Sequence, residues 1–181
     1  SKYGFKLTQK LIVLVQHPVT TQIANTEKHI QNTLKAIEYF GYRTVIISPN
    51  SDAGSNTIFQ NIKNFAKSHN FVRIFPSLPR RDFLCLIKNC GVLVGNSSSG
   101  LIEASYFGTS VVNIGIRQQG RERSKNVFDA KSESVISIKR TISHALKKNP
   151  SPSYLYGIGN TSQKIVRHLE YHRGFYRSSD Y

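Results

Sequence analysis

An α/β fold built on one doubly wound parallel sheet is predicted by three features of this chain. Short apolar runs alternate along the sequence with longer segments of helical periodicity, and polar loops rich in Gly, Ser and Pro follow the runs. Parallel strands covered by helices on both faces read as continuous apolar runs rather than as alternating ones, and that is the pattern here.

Leu11 to Val15 is the first such strand. Thr26 to Phe40 places Ile30, Leu34, Ile37 and Phe40 on one face of a helix, which Gly41 closes. Thr44 to Ile47 is the second strand, and a Pro49-Asn50 turn leads to a helix from Ser55 to Ser68. Phe71 to Phe75 is the third strand, Arg81 to Asn89 a short helix, and Val92 to Val94 the fourth strand. Leu101 to Phe107 is the helix that follows, and Ser110 to Ile114 the fifth strand. Two further helices, Glu133 to Lys148 and Gln163 to Arg173, flank the proline-rich break from Asn149 to Ser153. This alternation implies right-handed crossovers between parallel neighbours.

A chain of 181 residues suits one well-buried α/β domain and is short for two, so residues 1–181 are read as a single domain without repeats or linkers. Its 39% hydrophobic content argues against disorder. No apolar run approaches the ~20 residues of a membrane span, and the polar first ten residues lack a signal core, so a cytoplasmic protein is expected. Cys85 and Cys90 have no metal-ligand or CxxC spacing and read as two reduced core thiols. There is no P-loop and no metal-ligand cluster, so neither metal nor cofactor is expected.

The charge is +15, which attracts polyanions and raises a basic nucleic-acid-binding module as an alternative. The basic residues are scattered, however, with concentrations at Arg80-Arg81, Arg117 to Lys125, Lys147-Lys148 and Arg167 to Arg177, and none matches a recognition helix, zinc finger or aromatic RNA-binding strand. Solvated charge and a diphosphate-bearing ligand account for more of it than a dedicated nucleic-acid surface, so no specific nucleic acid is expected.

In a parallel sheet, ligands bind outside the carboxyl ends of the strands. The loops there begin at Gln16-His17, Pro49-Asn50, Pro76-Ser77-Leu78, Gly95-Asn96-Ser97-Ser98 and Gly115. The fourth is the most suggestive. A helix starting near Ser98 would aim unpaired N–H groups at an anion, Gly100 would let the ligand approach the backbone, and Glu103, about one and a half turns on, would reach a ribose diol. An ordinary helix cap with a solvated glutamate is the plain alternative. Asp52 reads as a cap for the helix after Gly54-Ser55. His29, His69, His144, His168 and His172 lie on helices or helix ends without paired ligands and carry no assigned chemistry; Lys6, Lys10, Tyr171, Phe175 and Tyr176 have only structural or interface readings.

Five segments carry a resemblance: HPVTT at 17–21, PNSDAGS at 49–55, GNSSSGLIE at 95–103, FGTSVVNIGIRQQGRE at 107–122 and YGIGN at 156–160. Together, and in this order, they resemble the UDP-N-acetylglucosamine 2-epimerase family over nearly the whole chain. The resemblance implies a GT-B architecture of two Rossmann-like halves with the nucleotide sugar between them. This chain is similar to the C-terminal, UDP-holding half; the family's N-terminal half, which supplies most acidic residues and a lysine for proton transfer, is its implied partner, and the full-length protein is expected to be a homo-oligomer. HPVTT resembles the hydrolysing branch, because reversible epimerases carry His-Arg where this chain has His17-Pro18. That branch converts UDP-N-acetylglucosamine, or UDP-diacetylbacillosamine in a related bacterial line, by eliminating UDP and hydrating the glycal, in sialic acid or related nonulosonic acid synthesis.

By the same resemblance, Ser97 and Ser98 bind the diphosphate, Glu103 the ribose hydroxyls and Leu78 the uracil edge through its backbone, while Asn50 lines the cleft and Arg117 offsets phosphate charge. His17 contacts the phosphate or sugar, with a general-acid role open to it. Where some animal relatives use arginines to bind CMP-sialic acid, this chain has Gln60 and Lys63, so that regulation is not expected. The half alone is expected to lack turnover. A GT-B glycosyltransferase that uses a UDP-sugar remains the enzyme alternative, sharing the helix N-terminus and the ribose glutamate.

Overall fold

The computed structural model describes residues 10–172; Lys6, Arg173, Phe175 and Tyr176 lie outside them. Its sheet contains β1 (Ile12–Val15), β2 (Thr44–Ile47), β3 (Val72–Phe75), β4 (Val92–Gly95), β5 (Val111–Asn113) and β6 (Val127–Asp129). All are parallel, in the order β3-β2-β1-β4-β5-β6. The order reverses direction between β1 and β4, so the crevice at their carboxyl ends is the topological switch point where α/β sheets bind ligands.

The pleat of the strands explains the two-sided core, because successive side chains point to opposite faces. Ile12, Leu14, Ile46, Val92, Val94 and Val112 face one layer, formed by α1 (Thr26–Glu38), α2 (Ser55–Ser68) and α5 (Val135–Ala145), whose Ile30, Ile37, Ile58, Ile62, Ile138 and Ile142 are all at most 1% exposed. Leu11, Val13, Val15, Val45, Leu93 and Val111 face the other, where α3 (Arg80–Asn89) and α4 (Glu103–Phe107) contribute Leu86, Ile87 and Ala104. Burying one such aliphatic side chain stabilises the fold by about 1.5–3 kcal/mol, so the alternating set holds the sheet between its layers. The last helix, α6 (Thr161–His172), buries none of its residues.

Several expectations are corrected. A sixth strand, β6, joins the five that the sequence predicts: it is a three-residue edge strand paired with β5, too short to show a period. The loop after β1 holds a 3-10 turn at Thr20–Asn25. The helix expected from Glu133 begins at Val135, capped by Ser134, whose side chain accepts from the Ser137 N–H. Cys85 is exposed; only Cys90 is a core thiol, and burial pushes its pKa up to about 12. Gly100 is buried against the sheet, where an added Cβ would come 2.8 Å from Val111 Cγ1, so it serves packing rather than close approach of a ligand. Asp52 does not cap α2 with its side chain: the cap position is Gly54, at φ +93°, which makes no side-chain capping bond.

Candidate functional site

His17 follows β1 and Asn96 follows β4, so the two residues face each other across the switch point. They are joined twice. The His17 backbone N–H donates to Asn96 Oδ1 at 2.7 Å, and Asn96 Nδ2 donates to the His17 carbonyl at 2.8 Å. Asn96 is only 3% exposed, so this side-chain amide replaces the next rung of the β1–β4 ladder and fixes the spacing of the two loops. Its own carbonyl accepts from Gln118 Nε2 at 2.8 Å and from Arg117 at 3.3 Å. The loop after β5 is thereby drawn to the same point.

The loop after β2 joins through the His17 ring. The Asn50 backbone N–H donates to His17 Nδ1 at 3.0 Å. A ring nitrogen that accepts is unprotonated, so the neutral imidazole carries its proton on Nε2 and offers a donor away from Asn50. Asn50 also donates through Nδ2 to the Asp52 carboxylate, which lies 4.0 Å from the Arg117 guanidinium. His17, Asn50, Asp52, Asn96 and Arg117 thus form one connected polar group, assembled from four loops.

Burial lowers the His17 pKa from its ordinary 6.5, the Arg117 charge lowers it further, and Asn50 and Asp52 oppose the fall. The ring is therefore neutral at pH 7. Below pH 6.5 the unfolded chain takes up a proton that the folded chain refuses, so stability falls on acidification from 6.5 down to the depressed folded value. The His17→Gln variant is expected to lose less stability over that window in denaturation series at pH 7.5, 6.5 and 5.5. The contribution of His69, whose pKa is raised by its bond to the Phe65 carbonyl, runs the opposite way and cancels in the difference. Parallel pH dependences of the two proteins would contradict the lowered His17 pKa.

The serine turn forms as a helical entry, although its first turn is 3-10 at Ser98–Gly100 and regular helix starts at Glu103. Ser97 is the N-cap: its hydroxyl accepts from the Ser99 N–H and pairs with the Ser99 hydroxyl at 2.8 Å. Glu103 stands farther along the turn, 3.5 Å from Arg80 and a quarter exposed or less at 22%. Beside it opens a cleft of about 310 Å³, lined by Arg80, Leu84, Tyr106, Tyr156 and Ile158 among others. Leu78 is half-buried in the loop after β3, packed against the α3 side of the core. A larger cleft, about 790 Å³, is lined by Lys88 to Gly91 and Thr109-Ser110 at the amino ends of β4 and β5, the wrong end of a parallel sheet for its ligand.

Of the residues the sequence singles out for the site, the structure joins His17, Asn50 and Arg117 in this group and leaves Leu78, Ser97, Ser98 and Glu103 outside its hydrogen bonds, while Asn96, Gln118 and the carboxylate of Asp52 belong to it without being singled out. The signal for Asn96 was its position directly after a buried strand, where a small polar side chain has unpaired backbone within reach.

A family model described as UDP-N-acetylglucosamine 2-epimerase matches residues 2–170. The chain belongs to that family. It is 36% identical over 171 residues to a UDP-N,N'-diacetylbacillosamine 2-epimerase (hydrolyzing) of Legionella pneumophila, covering 93% of this chain and 45% of that protein. It is 35% identical over 124 residues to a UDP-N-acetylglucosamine 2-epimerase of Neisseria meningitidis, covering 63% of this chain and 32% of that one. The chain therefore spans about half the length, or less, of the curated relatives it matches. Among solved structures, it superposes with TM-score 0.71 and 18% identity on the Methanocaldococcus jannaschii UDP-GlcNAc 2-epimerase in complex with UDP-GlcNAc and UDP, covering 89% of this chain and 45% of that one. The Neisseria meningitidis UDP-GlcNAc 2-epimerase bound to UDP-GlcNAc gives TM-score 0.69, also at 18% identity. The fold is that of one Rossmann-like half of a GT-B 2-epimerase. Among the described residues, no helix is long and apolar enough to cross a membrane, and no group of three His, Cys, Asp or Glu side chains is placed to hold a metal.

Proposed function

We propose that this chain is the UDP-holding half of a hydrolysing 2-epimerase acting on UDP-N-acetylglucosamine or its diacetylbacillosamine counterpart. The observation that carries the reading is the His17–Asn96 clamp at the switch point, with Arg117 drawn to the same carbonyl. It ties a neutral imidazole and a guanidinium to Asn96, the residue that leads into the serine turn, and donors of these kinds suit a diphosphate. The hydrolysing assignment is supported by His17-Pro18 and by the names of the relatives.

In the reaction proposed, the C2 proton leaves to a base of the other half while the C1–O bond breaks, and the bond's electron pair departs with UDP. The glycal formed then adds water: hydroxyl to C1, and a proton to the opposite face of C2. The role of this chain is the leaving group. Arg117 offsets the charge that builds on the β-phosphate, His17 Nε2–H donates to a phosphate oxygen, and the Ser98 amide and hydroxyl take another. Glu103 receives the ribose hydroxyls, and the neighbouring cleft the rest of the nucleoside, with Leu78 at the uracil edge. Ser97 acts through its cap of the turn, and Asn50 by orienting the His17 ring. The partners in this reading are the nucleotide sugar, the other half of the enzyme and further copies of the full-length chain.

Calorimetry with UDP tests it. Saturable binding is expected, weakened about 10-fold by Glu103→Ala and by Arg117→Ala, the loss of one charge-assisted contact each. Absence of binding at millimolar UDP, or wild-type affinity in both variants, sinks the proposal.

A further inference from the structure

We infer that Glu133 and His29 are positioning residues for Arg117, wedging the loop after β5 at Gly115; this rests on the UDP reading above. Glu133 precedes α5 and His29 lies in the second turn of α1, and the two helices pack against each other. His29 Nδ1 and Glu133 Oε2 are 2.9 Å apart, with side chains 17% and 21% exposed. Asn32 Nδ2 donates to the Glu133 carbonyl at 2.9 Å, so the residue is held through its backbone as well. Both holders come from α1.

The other end of the carboxylate meets the active loop. At Gly115, φ is +73°, and an added Cβ would lie 2.9 Å from Glu133 Oε1 and 3.1 Å from Cδ. The carboxylate therefore sits against the Cα of Gly115, in space that any other residue type would fill. Gly115 stands between two anchors: the Ile114 N–H donates to the Gly95 carbonyl at 2.9 Å, and Arg117 and Gln118 donate to the Asn96 carbonyl. A segment fixed at both ends and pressed in the middle has one path, and that path sets where the Arg117 guanidinium points.

Stability alone does not account for the pair. Burial raises the Glu133 pKa from 4.5, with the His29 charge opposing, so ionising this carboxylate costs more folded than unfolded. Apolar residues such as Ile30 and Ile138 already hold α1 and α5 together nearby. A polar wedge earns its place by geometry: two fixed oxygens, one on His29 and one on Gly115.

The test is a double-mutant cycle on UDP affinity in this chain, using Glu133→Ala and Arg117→Ala. Glu133→Ala is expected to weaken UDP by about 3- to 10-fold in the wild-type background and by less than about 2-fold beside Arg117→Ala, because a wedge acting through Arg117 has nothing left to position. Equal losses in both backgrounds overturn the inference. Glu38→Ala, which breaks the separate His69–Glu38 pair at 2.9 Å, is the control and is expected to leave affinity unchanged. Failure of wild-type chain to bind UDP counts against the functional reading instead. In that case the wedge is read in ligand-free protein: the NMR signals of the Arg117 side chain are expected to shift in Glu133→Ala and not in Glu38→Ala, and unshifted signals refute it.

Discussion

Gly95→Ala is expected to leave the chain without its native fold. Gly95 ends β4 at φ +130°, a conformation that L side chains rarely adopt, and a Cβ there would lie 2.1 Å from the Val15 carbonyl oxygen and 2.7 Å from its carbon. Those atoms belong to the neighbouring central strand, since Val15 and Gly95 are register partners. Neither strand has room to shift: the Gly95 carbonyl accepts from Ile114 in β5's continuation, and the Val15 carbonyl accepts from the Asn96 N–H at 3.2 Å. Relief requires parting β1 from β4 at the middle of the sheet. The expected loss exceeds about 4 kcal/mol, against a total stability for such a domain of about 5–15 kcal/mol. Gly120→Ala is the comparison, because Gly120 also has positive φ, +79°, but no atom within 4 Å of the added Cβ; it is expected to cost about 1–2 kcal/mol of backbone strain. Thermal melts followed by circular dichroism separate the two. A cooperative Gly95→Ala melt within a few degrees of Gly120→Ala would mean that β1 and β4 do not pair as described.

The parts of the molecule legible in the sequence are those where one physical signal dominates. Ile12 to Val15 and Val92 to Val94 are buried on both faces and so are unbroken apolar runs, and α1 shows its buried face directly as Ile30, Leu34 and Ile37. The strand β6 stayed hidden because Val127–Asp129 is half-exposed at the sheet edge, and three residues cannot display a period. The candidate site is legible at its chemically loud positions, His17 and Arg117, and illegible at the groups that fix them. Asn96 and Gln118 were unremarkable amides in polar loops until the strand order brought their loops together; His29 and Glu133 are 104 positions apart in the chain, and only the packing of α1 on α5 makes them a pair. Long-range hydrogen bonds leave no periodic trace. Gly100 shows the converse hazard: a glycine in a ligand-facing motif reads as clearance for the ligand, whereas the side chain of Val111 occupies that space.

Asn96→Leu is the substitution expected to damage the site most while keeping its shape. Leucine has the branched heavy-atom skeleton of asparagine, with methyl groups in place of the amide oxygen and nitrogen, so it enters the same buried position at the cost of some added bulk. What disappears is the pair of bonds to His17, at 2.7 and 2.8 Å, leaving an N–H and a carbonyl at the end of β1 without their partner. Each such group left unsatisfied costs about 1–3 kcal/mol, so the chain is expected to lose about 2–6 kcal/mol in urea denaturation. The larger consequence is positional. His17 is held at its backbone by Asn96 and at its ring by Asn50, and Asn96 also presents the carbonyl that collects Arg117 and Gln118. Releasing the backbone clamp frees the imidazole and the guanidinium together, and each charged hydrogen bond to the ligand that is lost costs about 1.5–3 kcal/mol, or roughly 10- to 100-fold in affinity. UDP affinity is expected to fall further in Asn96→Leu than in Arg117→Ala, although leucine at 96 deletes no group assigned to the diphosphate. The comparison is made by calorimetry at a temperature where both variants are folded. Equal affinity of Asn96→Leu and wild type would make the clamp a structural bond alone and would leave the phosphate to be held by the serine turn and Arg117 without help from the switch point.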